Sequence, residues 1–282
     1  MNYKDITVGI VSFKSENVIF RCLKSIKKIK NIIIFDNSND INLKNQISKR
    51  YPNIQFILSK KNLGYGVGNN KIFKFVKTKY FFILNPDTIL MKNCIKNLIK
   101  SINLLKSNFS ILAPISSPKN YGYFEKKKNY KFNKNLKKVD YVKGFALVVN
   151  KRKFKKNILF DKNFFLYLEE IDLCKRLCRI RENIYVCKNA KVHHYAAKSS
   201  NIGFEFEKCR NWHWMWSKVY YDKKYLKNYD VLKIILPKII SGLINCIVLW
   251  PFNFKKSILA YYRISGALNS LLGLPSSHRP KI

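Results

Sequence analysis

The chain alternates short apolar runs with stretches whose apolar residues recur every three or four positions. Ile6 to Phe13 is an almost unbroken apolar run, the pattern of a strand buried on both faces. Ile19, Cys22, Leu23, Ile26 and Ile29 then follow with helical spacing, with Ser15 placed to cap that helix. Ile32 to Phe35 predicts a second strand, Leu43 and Ile47 a short helix, and Ile54 to Leu58 a third strand. A Gly-rich segment from Asn62 to Asn70 opens a helix carrying Ile72, Phe73 and Val76. Tyr80 to Leu84 is a fully apolar strand that runs into Asn85-Pro86-Asp87, where Pro86, lacking an N–H, ends it. A longer helix with Ile95, Leu98, Ile99, Ile102 and Leu105 comes next. This alternation predicts a doubly wound, mostly parallel α/β sheet flanked by helices.

From Pro114 to Lys138 the pattern gives way to a loop rich in Lys, Asn and Tyr. Val139 to Val149 reads as a strand interrupted at Gly144. An apolar segment ends at Phe164-Phe165-Leu166-Tyr167, and a helix starts at Glu169 with Ile171, Cys174, Leu177 and Cys178 facing inward. Ile184 to Cys187 is strand-like and leads to His193-His194. Further on, Trp212, Trp214, Trp216, Tyr220, Tyr221 and Tyr225 are crowded among lysines. Val231 to Phe254 is strongly apolar yet contains Lys233, Pro237, Lys238 and Asn245. Its cleanest run, Ile239 to Phe252, is shorter than the roughly 20 residues a spanning helix needs. It predicts a helix lying in a membrane interface, with aromatics and lysines at headgroup level. A buried helical hairpin is the alternative. The expected division is a catalytic-type domain over 1–225 and a helical segment over 226–282.

The formal net charge of +39 points to anionic partners: nucleic acid, an anionic membrane or phosphorylated substrates. Lys, Asn and Ile are over-used throughout, so part of this charge belongs to solvated faces. The scarcity of acids says more. Seven of the sixteen carboxylates are Asp36, Asp40, Asp87, Asp161, Glu169, Glu170 and Asp172, all in or beside short segments that stand out on other grounds. A nucleic-acid-binding protein would place those acids against a polyanion, so no nucleic-acid partner is expected. Seven scattered Cys, with no zinc-type spacing, fit reduced thiols in a cytosolic compartment. The N-terminus begins directly with a strand-like run, which reads as the absence of a signal peptide.

Asp87 stands just past the carboxyl end of a central strand, the edge where open α/β sheets bind ligands. Either it holds a ligand there or Asn85 and Asp87 close a turn. Asp36 ends a neighbouring strand and can accept from a base N–H or a ribose hydroxyl; the other reading has Asp36 and Asp40 capping the next helix. Gly64, Gly66 and Gly68 allow close backbone approach just before a helix N-terminus, which favours anions. They match neither a dinucleotide fingerprint nor a phosphate-binding loop. Glu169, Glu170 and Asp172 lie at a predicted helix start, where the dipole favours ionised carboxylates.

In order along the chain, the first strand, Asp36-Asn37-Ser38 with Asp40, Asn62 through Asn70, Leu84-Asn85-Pro86-Asp87-Thr88, and Phe160-Asp161 through Arg176 resemble a family 2 glycosyltransferase of the GT-A fold, in its rhamnosyltransferase-like branch. The resemblance covers about residues 5–225, with His194 and Ser199 a weaker sixth match. It implies an inverting transfer of a sugar, rhamnose in the branch's best-known case, from a nucleoside-diphosphate-sugar donor. The implied acceptor is a saccharide or lipid-linked hydroxyl in cell-surface polysaccharide synthesis. The implied place is cytoplasmic, peripheral to the inner membrane. It implies donor-binding roles for Asp36, Asn37, Asn62, Gly64, Asn70, Asp87 and Asp172. Asp87, with His194 as a further ligand, would hold Mg or Mn. Glu170 aligns with the family's base Asp and Glu169 is the substitute. The metal motif of the family is often Asp-x-Asp, and its first position here is Asn85. The alternatives are a donor-binding but catalytically silent relative and, from the +39 charge and the aromatic residues among lysines near Trp212, a basic nucleic-acid-binding protein.

Overall fold

The computed structural model describes residues 2–116, 123–124, 133, 135–155, 158–195 and 203–280. Most of the Lys-rich loop after Pro114, and Ser199, lie outside the described residues. By their contacts the residues form two compact units, Met1–Asp161 with Glu170–Ser200, and Lys162–Glu169 with Asn201–Ile282. The units part near residue 200 rather than at 225, because the aromatic helix expected to close the first domain packs on the C-terminal helices.

The first unit begins with β1 (Ile6–Ser12), α1 (Glu16–Ser25), β2 (Asn31–Asp36), α2 (Ile41–Arg50), β3 (Gln55–Leu58), α3 (Gly64–Phe75) and β4 (Tyr80–Leu84). After Pro86 comes β5 (Thr88–Leu90), a strand too short to stand out in the sequence, then α4 (Cys94–Leu105) and β6 (Ile111–Ser116). The rest comprises β7 (Tyr123–Phe124), β8 (Leu136–Lys138), β9 (Tyr141–Val142), β10 (Ala146–Asn150), α5 (Glu169–Arg179) and β11 (Ile184–His194). The main sheet runs β3-β2-β1-β4-β10-β6-β11-β5, with β8 also on β11. β3, β2, β1 and β4 are mutually parallel, as the strand–helix alternation requires. From β10 onward the sheet is mixed: β10 is antiparallel to β4 and β6.

Successive side chains of a strand point to opposite faces, and both faces are apolar. Ile6, Val8, Ile10, Ile34 and Phe82 pack with Ile19, Leu23, Leu98 and Ile102 from α1 and α4. On the other face Phe35, Phe81 and Ile83 pack with Ile72 and Phe73 of α3 and Leu173 and Leu177 of α5. The result is a helix–sheet–helix sandwich. The chain leaves β1 towards β2 and β3, then returns to place β4 on the other flank of β1. The carboxyl ends of β1 and β4 therefore flank a topological switch point, where such sheets hold ligands.

The second unit contains α6 (Gly203–Tyr225), α7 (Asn228–Leu249) and α8 (Phe254–Leu271). α8 approaches α6 so closely that a Cβ on Gly266 would lie 2.2 Å from the Trp212 carbonyl oxygen. Val231, Ile235 and Ile239 form the buried stripe of α7, packed with Val219, Ile264 and Ala267. Its other apolar residues face outward: Leu243 is 50%, Ile244 55% and Ile247 75% exposed. α7 has 22 residues and is long and apolar enough to cross a membrane, longer than the run legible in the sequence. Pro237 and the lysines broke that run on paper but not the helix.

Candidate active site

Three strand ends build the floor. Ser12 closes β1, Asp36 closes β2, and the Asn85-Pro86-Asp87 turn follows β4. The Asp36 carboxylate is fully buried and accepts from Ser12 Oγ at 2.8 Å, Ser38 N at 3.1 Å, Ser38 Oγ at 2.9 Å and Asp40 N at 2.9 Å. Asp40 in turn caps α2 by accepting from Leu43 N. The Asp36 oxygens expected to accept from a nucleoside thus already accept from the protein, and the carboxylate shapes the loop after β2. To reach a ligand it would have to exchange one of these partners.

Asn37 crosses to the Gly-rich segment. Its Oδ1 accepts from Leu63 N at 2.9 Å and its Nδ2 donates to Gly64 O at 3.1 Å. Asn62 Oδ1 accepts from Gly64 N at 3.0 Å. Gly64 has φ +80°, a left-handed backbone at the first residue of α3 that a side chain would strain. Asn70 also turns inward. Its Oδ1 accepts from Leu159 N and Phe160 N, and its Nδ2 donates to Phe160 O at 2.7 Å. Asn70 therefore anchors the 159–160 loop through both ends of its amide.

Asp87 is the exception to this saturation. Its side chain is 1% exposed, and neither carboxylate oxygen has a hydrogen-bond partner. The nearest cationic or donor group given by the geometry is His194 Nε2, 3.3 Å from Oδ1 but not aligned as a hydrogen bond. Strand register makes this pair. β11 is antiparallel to β5 with His194 opposite Thr88, and Tyr195 N donates to the Asp87 carbonyl at 3.1 Å. The imidazole is stacked on Phe145 at 4.6 Å and 20°, which fixes its plane. Phe145 O accepts from Asn85 N at 2.8 Å and so ties β10 to the same turn.

A buried carboxylate with no internal partner fits a site that takes a cation. Two protein ligands suit Mg or Mn, which complete their shell with water and phosphate oxygens. Among the described residues no group of three or more His, Cys, Asp or Glu could hold a metal by itself. Burial, with the Asp87 charge second, pushes the Cys22 thiol well up, so that neighbour stays a neutral thiol rather than a soft ligand.

The other carboxylates surround the start of α5. Burial raises the Glu170 pKa, against the pull of backbone N–H groups of Glu170, Gly144 and Ile171 and the charge of Lys143. Gly144 lies between Glu170 and Tyr65: a Cβ there would be 3.3 Å from the Tyr65 hydroxyl and 3.5 Å from the Glu170 Cβ. Tyr65 donates to the Gly144 carbonyl at 2.5 Å. Asp87, His194, Phe145, Gly144 and Glu170 thus form a continuous chain of neighbours. Glu169 is 4% exposed and groups with the second unit, where its charge acts on Tyr167. Tyr167 and Leu168 both have positive φ, 71° and 66°, a strained pair immediately before the helix. Asp172 is completely buried and holds Arg176 Nε at 2.8 Å, while Arg176 Nη2 donates to Leu159 O at 2.5 Å. Asp172, like Asn70, thus helps to hold the 159–160 loop.

Phe145, Tyr65 and the Gly144 backbone did not emerge from the sequence as site residues. The break at Gly144, read only as an interrupted strand, was the signal for Gly144 and Phe145, and Tyr65 lay inside the Gly-rich segment without being given a role.

Residues 7–168 match the family model described as Glycosyl transferase family 2. The chain is 27% identical over 207 residues to the low-salt glycan biosynthesis hexosyltransferase Agl10 of Haloferax volcanii, with 65% of each chain covered. It thus spans about two thirds of that relative's length. It is 26% identical over 244 residues to the rhamnosyltransferase WbbL of Escherichia coli K12, covering 74% of this chain and 89% of that one. Among solved structures, the mannosyltransferase PcManGT from Pyrobaculum calidifontis, in complex with GDP-Man and Mn2+, aligns with a TM-score of 0.59 at 10% identity. That alignment covers 95% of this chain and 87% of the other. GalNAc-T7 with UDP, GalNAc and Mn2+ aligns with a TM-score of 0.54 at 13% identity, over 67% of this chain and 43% of that one. At such identities the likeness is one of fold, and that fold is the α/β GT-A type expected from the sequence.

Proposed function

The chain belongs to glycosyl transferase family 2, and from that premise we propose that it is an inverting glycosyltransferase. It moves a sugar from a nucleoside-diphosphate donor to a hydroxyl of a saccharide or lipid-linked acceptor in cell-surface polysaccharide synthesis. The observation that carries the reading is Asp87: a buried carboxylate with no internal hydrogen bond, beside His194, at the ligand edge of the sheet. Asp87 and His194 would hold a divalent cation, Mg or Mn, which supplies positive charge for the donor diphosphate. The Mn2+ in the two structural neighbours supports that choice of ion.

Glu170 is the base. It takes the proton of the acceptor hydroxyl as that oxygen bonds to the anomeric carbon and the bond to the diphosphate breaks, the electron pair leaving with the diphosphate. A raised pKa makes Glu170 a stronger proton acceptor than an ordinary surface carboxylate. The N–H groups of Gly144, Glu170 and Ile171 hold it in place. Asn37, Asn62 and Gly64 set the backbone that lies under the donor, and Asp36, Asn70 and Asp172 hold the loops around it. Glu169 and the strained Tyr167-Leu168 pair fix where α5 starts. The outward apolar face of α7, with Trp250 and Phe252 60% and 85% exposed at its end, attaches the protein to the cytoplasmic face of the inner membrane.

The test is transfer and donor hydrolysis with a panel of dTDP-rhamnose, GDP-mannose and UDP-sugars, with and without Mn2+. Wild type turns over at least one donor. Asp87→Ala and Glu170→Gln, folded by circular dichroism, do not. Near-normal turnover by both variants would sink the mechanism. Vesicle flotation tests membrane attachment: Leu243→Glu with Ile247→Glu should release the protein, and unchanged flotation refutes the role of α7.

A further inference from the structure

The second unit contains a cavity of about 650 Å³ that none of the roles above uses. Its wall carries Lys162, Lys223, Lys224 and Arg279, and no Asp or Glu lines it among the described residues. Trp216 and Tyr220 also line it, their rings stacked at 5.0 Å and 18°. The wall is built rather than incidental. Trp216 Nε1 donates to Leu274 O at 3.0 Å, Ser276 Oγ to Asn163 O at 2.7 Å, and Asn163 Nδ2 to the Tyr220 hydroxyl at 2.8 Å. Lys223 Nζ donates to the carbonyls of Ser270 and Leu271 at the end of α8, so its charge is held at the rim without a carboxylate in that contact. Ser270 borders the cavity, is 3% exposed, and its hydroxyl has no hydrogen-bond partner.

Four cations, an aromatic wall and an unsatisfied buried hydroxyl fit an anion esterified to a sugar. The cations and the hydroxyl take phosphate oxygens, and the half-buried Tyr220 ring, backed by the buried Trp216, offers an apolar surface to a sugar. The same unit carries the exposed apolar face of α7, which suits a ligand whose other end is hydrocarbon. We propose that this cavity binds the diphosphate headgroup of a lipid-linked saccharide, the acceptor of the transfer. The occupant's role as acceptor rests on the transferase reading; the anion site rests on the cavity alone.

The experiment is titration of the full chain in EDTA with inorganic pyrophosphate and with a short polyprenyl diphosphate in detergent, followed by acceptor kinetics. Wild type binds both, and each competes with the other. Lys162→Glu combined with Lys224→Gln weakens both about tenfold or more, the loss of one to two charge-assisted contacts. Ser270→Ala weakens them several-fold while its Tm is unchanged or higher, because it removes a hydroxyl that has no partner. In transfer assays the same variants raise the acceptor KM and leave the donor KM in place. Variants that bind diphosphate like wild type overturn the site. Pyrophosphate binding without competition by the lipid, or displacement by RNA alone, overturns the assigned occupant. If no donor is ever turned over, the transferase reading fails by itself, and the EDTA titrations still decide the anion site.

Discussion

Asp87→Ala should make the metal-free protein no less stable, and more stable if burial of the bare carboxylate dominates. The wild-type side chain is 1% exposed with neither oxygen hydrogen-bonded. A buried acceptor left unsatisfied costs about 1–3 kcal/mol, more when charged. The substitution removes that cost and gives up the unaligned approach of His194, taken at the upper end of about 1 kcal/mol. Alanine keeps the Cβ, so little apolar contact is lost. The net is a change between zero and about 2 kcal/mol of stabilisation. At roughly 2–4 °C per kcal/mol for a chain of this size, Tm in EDTA should rise by up to about 8 °C.

Ligand reverses the order. With Mn2+ and donor at 100 times Kd, wild type gains about 2.7 kcal/mol, while a variant without the carboxylate gains far less. Scanning fluorimetry in EDTA and in Mn2+ with nucleoside diphosphate gives all four values. The signature is a crossing: the variant is at least as stable without metal and clearly less stable with it. A variant more than about 1 kcal/mol less stable than wild type in EDTA would show that Asp87 is a structural turn residue and refute the reasoning. Equal stabilisation of both proteins by Mn2+ and diphosphate would refute it as well.

Glu170→Gln should lower kcat by about 10²–10⁴ with the fold intact. Because burial raises the folded-state pKa of Glu170, the stability associated with its protonated form is fully present below the unfolded value and is lost as pH rises through the folded one. The advantage of the Gln variant over wild type in urea melts should therefore grow over that window; an advantage that shrinks would contradict the burial argument. Arg176→Met leaves the buried Asp172 carboxylate without its guanidinium and should cost about 3 kcal/mol, the low end of the range because Arg176 is 39% exposed; a loss under 1 kcal/mol in denaturant melts would show that the pair does not hold the 159–160 loop. Gly64→Ala at φ +80° should cost about 1–2 kcal/mol and raise the donor KM more than it lowers kcat; an unchanged donor KM would remove the Gly-rich segment from the donor site.

The parallel half of the sheet was legible because its strands are buried on both faces and read as apolar runs. Ser15 stands at the N-cap position of α1, as expected, yet its hydroxyl bonds Phe13 rather than the helix. β5 was not legible: three residues carry too little periodicity, and only pairing with His194 and its neighbours defines the strand. The same pairing places His194 on Asp87, so a contact between residues 107 positions apart depends on register that no local pattern encodes. α7 was underestimated because Lys233, Pro237 and Lys238 interrupt the apolar run without ending the helix. The boundary near 200 was missed because α6 mixes charged and aromatic residues around its whole circumference. Its buried Cys209, Trp212, Trp216 and Val219 are spaced as one helical stripe, but a stripe does not say which elements it packs on.

The residues singled out in the sequence divide by one physical criterion, whether the protein's own groups offset the cost of burying them. Asp36 has its oxygens filled from Ser12, Ser38 and Asp40, Asn70 bonds the 159–160 loop, and Asp172 Oδ2 accepts from Arg176. Such residues hold backbone in place, and substituting them should act first on stability. Asp87 is buried with its oxygens unsatisfied, and Glu170 is held by N–H groups yet has its pKa raised by burial. Keeping a carboxylate in either state costs folding free energy, and a chain with sixteen acids against 55 bases has had many alternatives to doing so. The cost is offset only when something outside the chain supplies the missing charge or proton, a cation and diphosphate at Asp87 and an acceptor hydroxyl at Glu170. Two such carboxylates, joined through His194, Phe145 and Gly144 at the ligand edge of one sheet, point to a site built for a reaction rather than for folding.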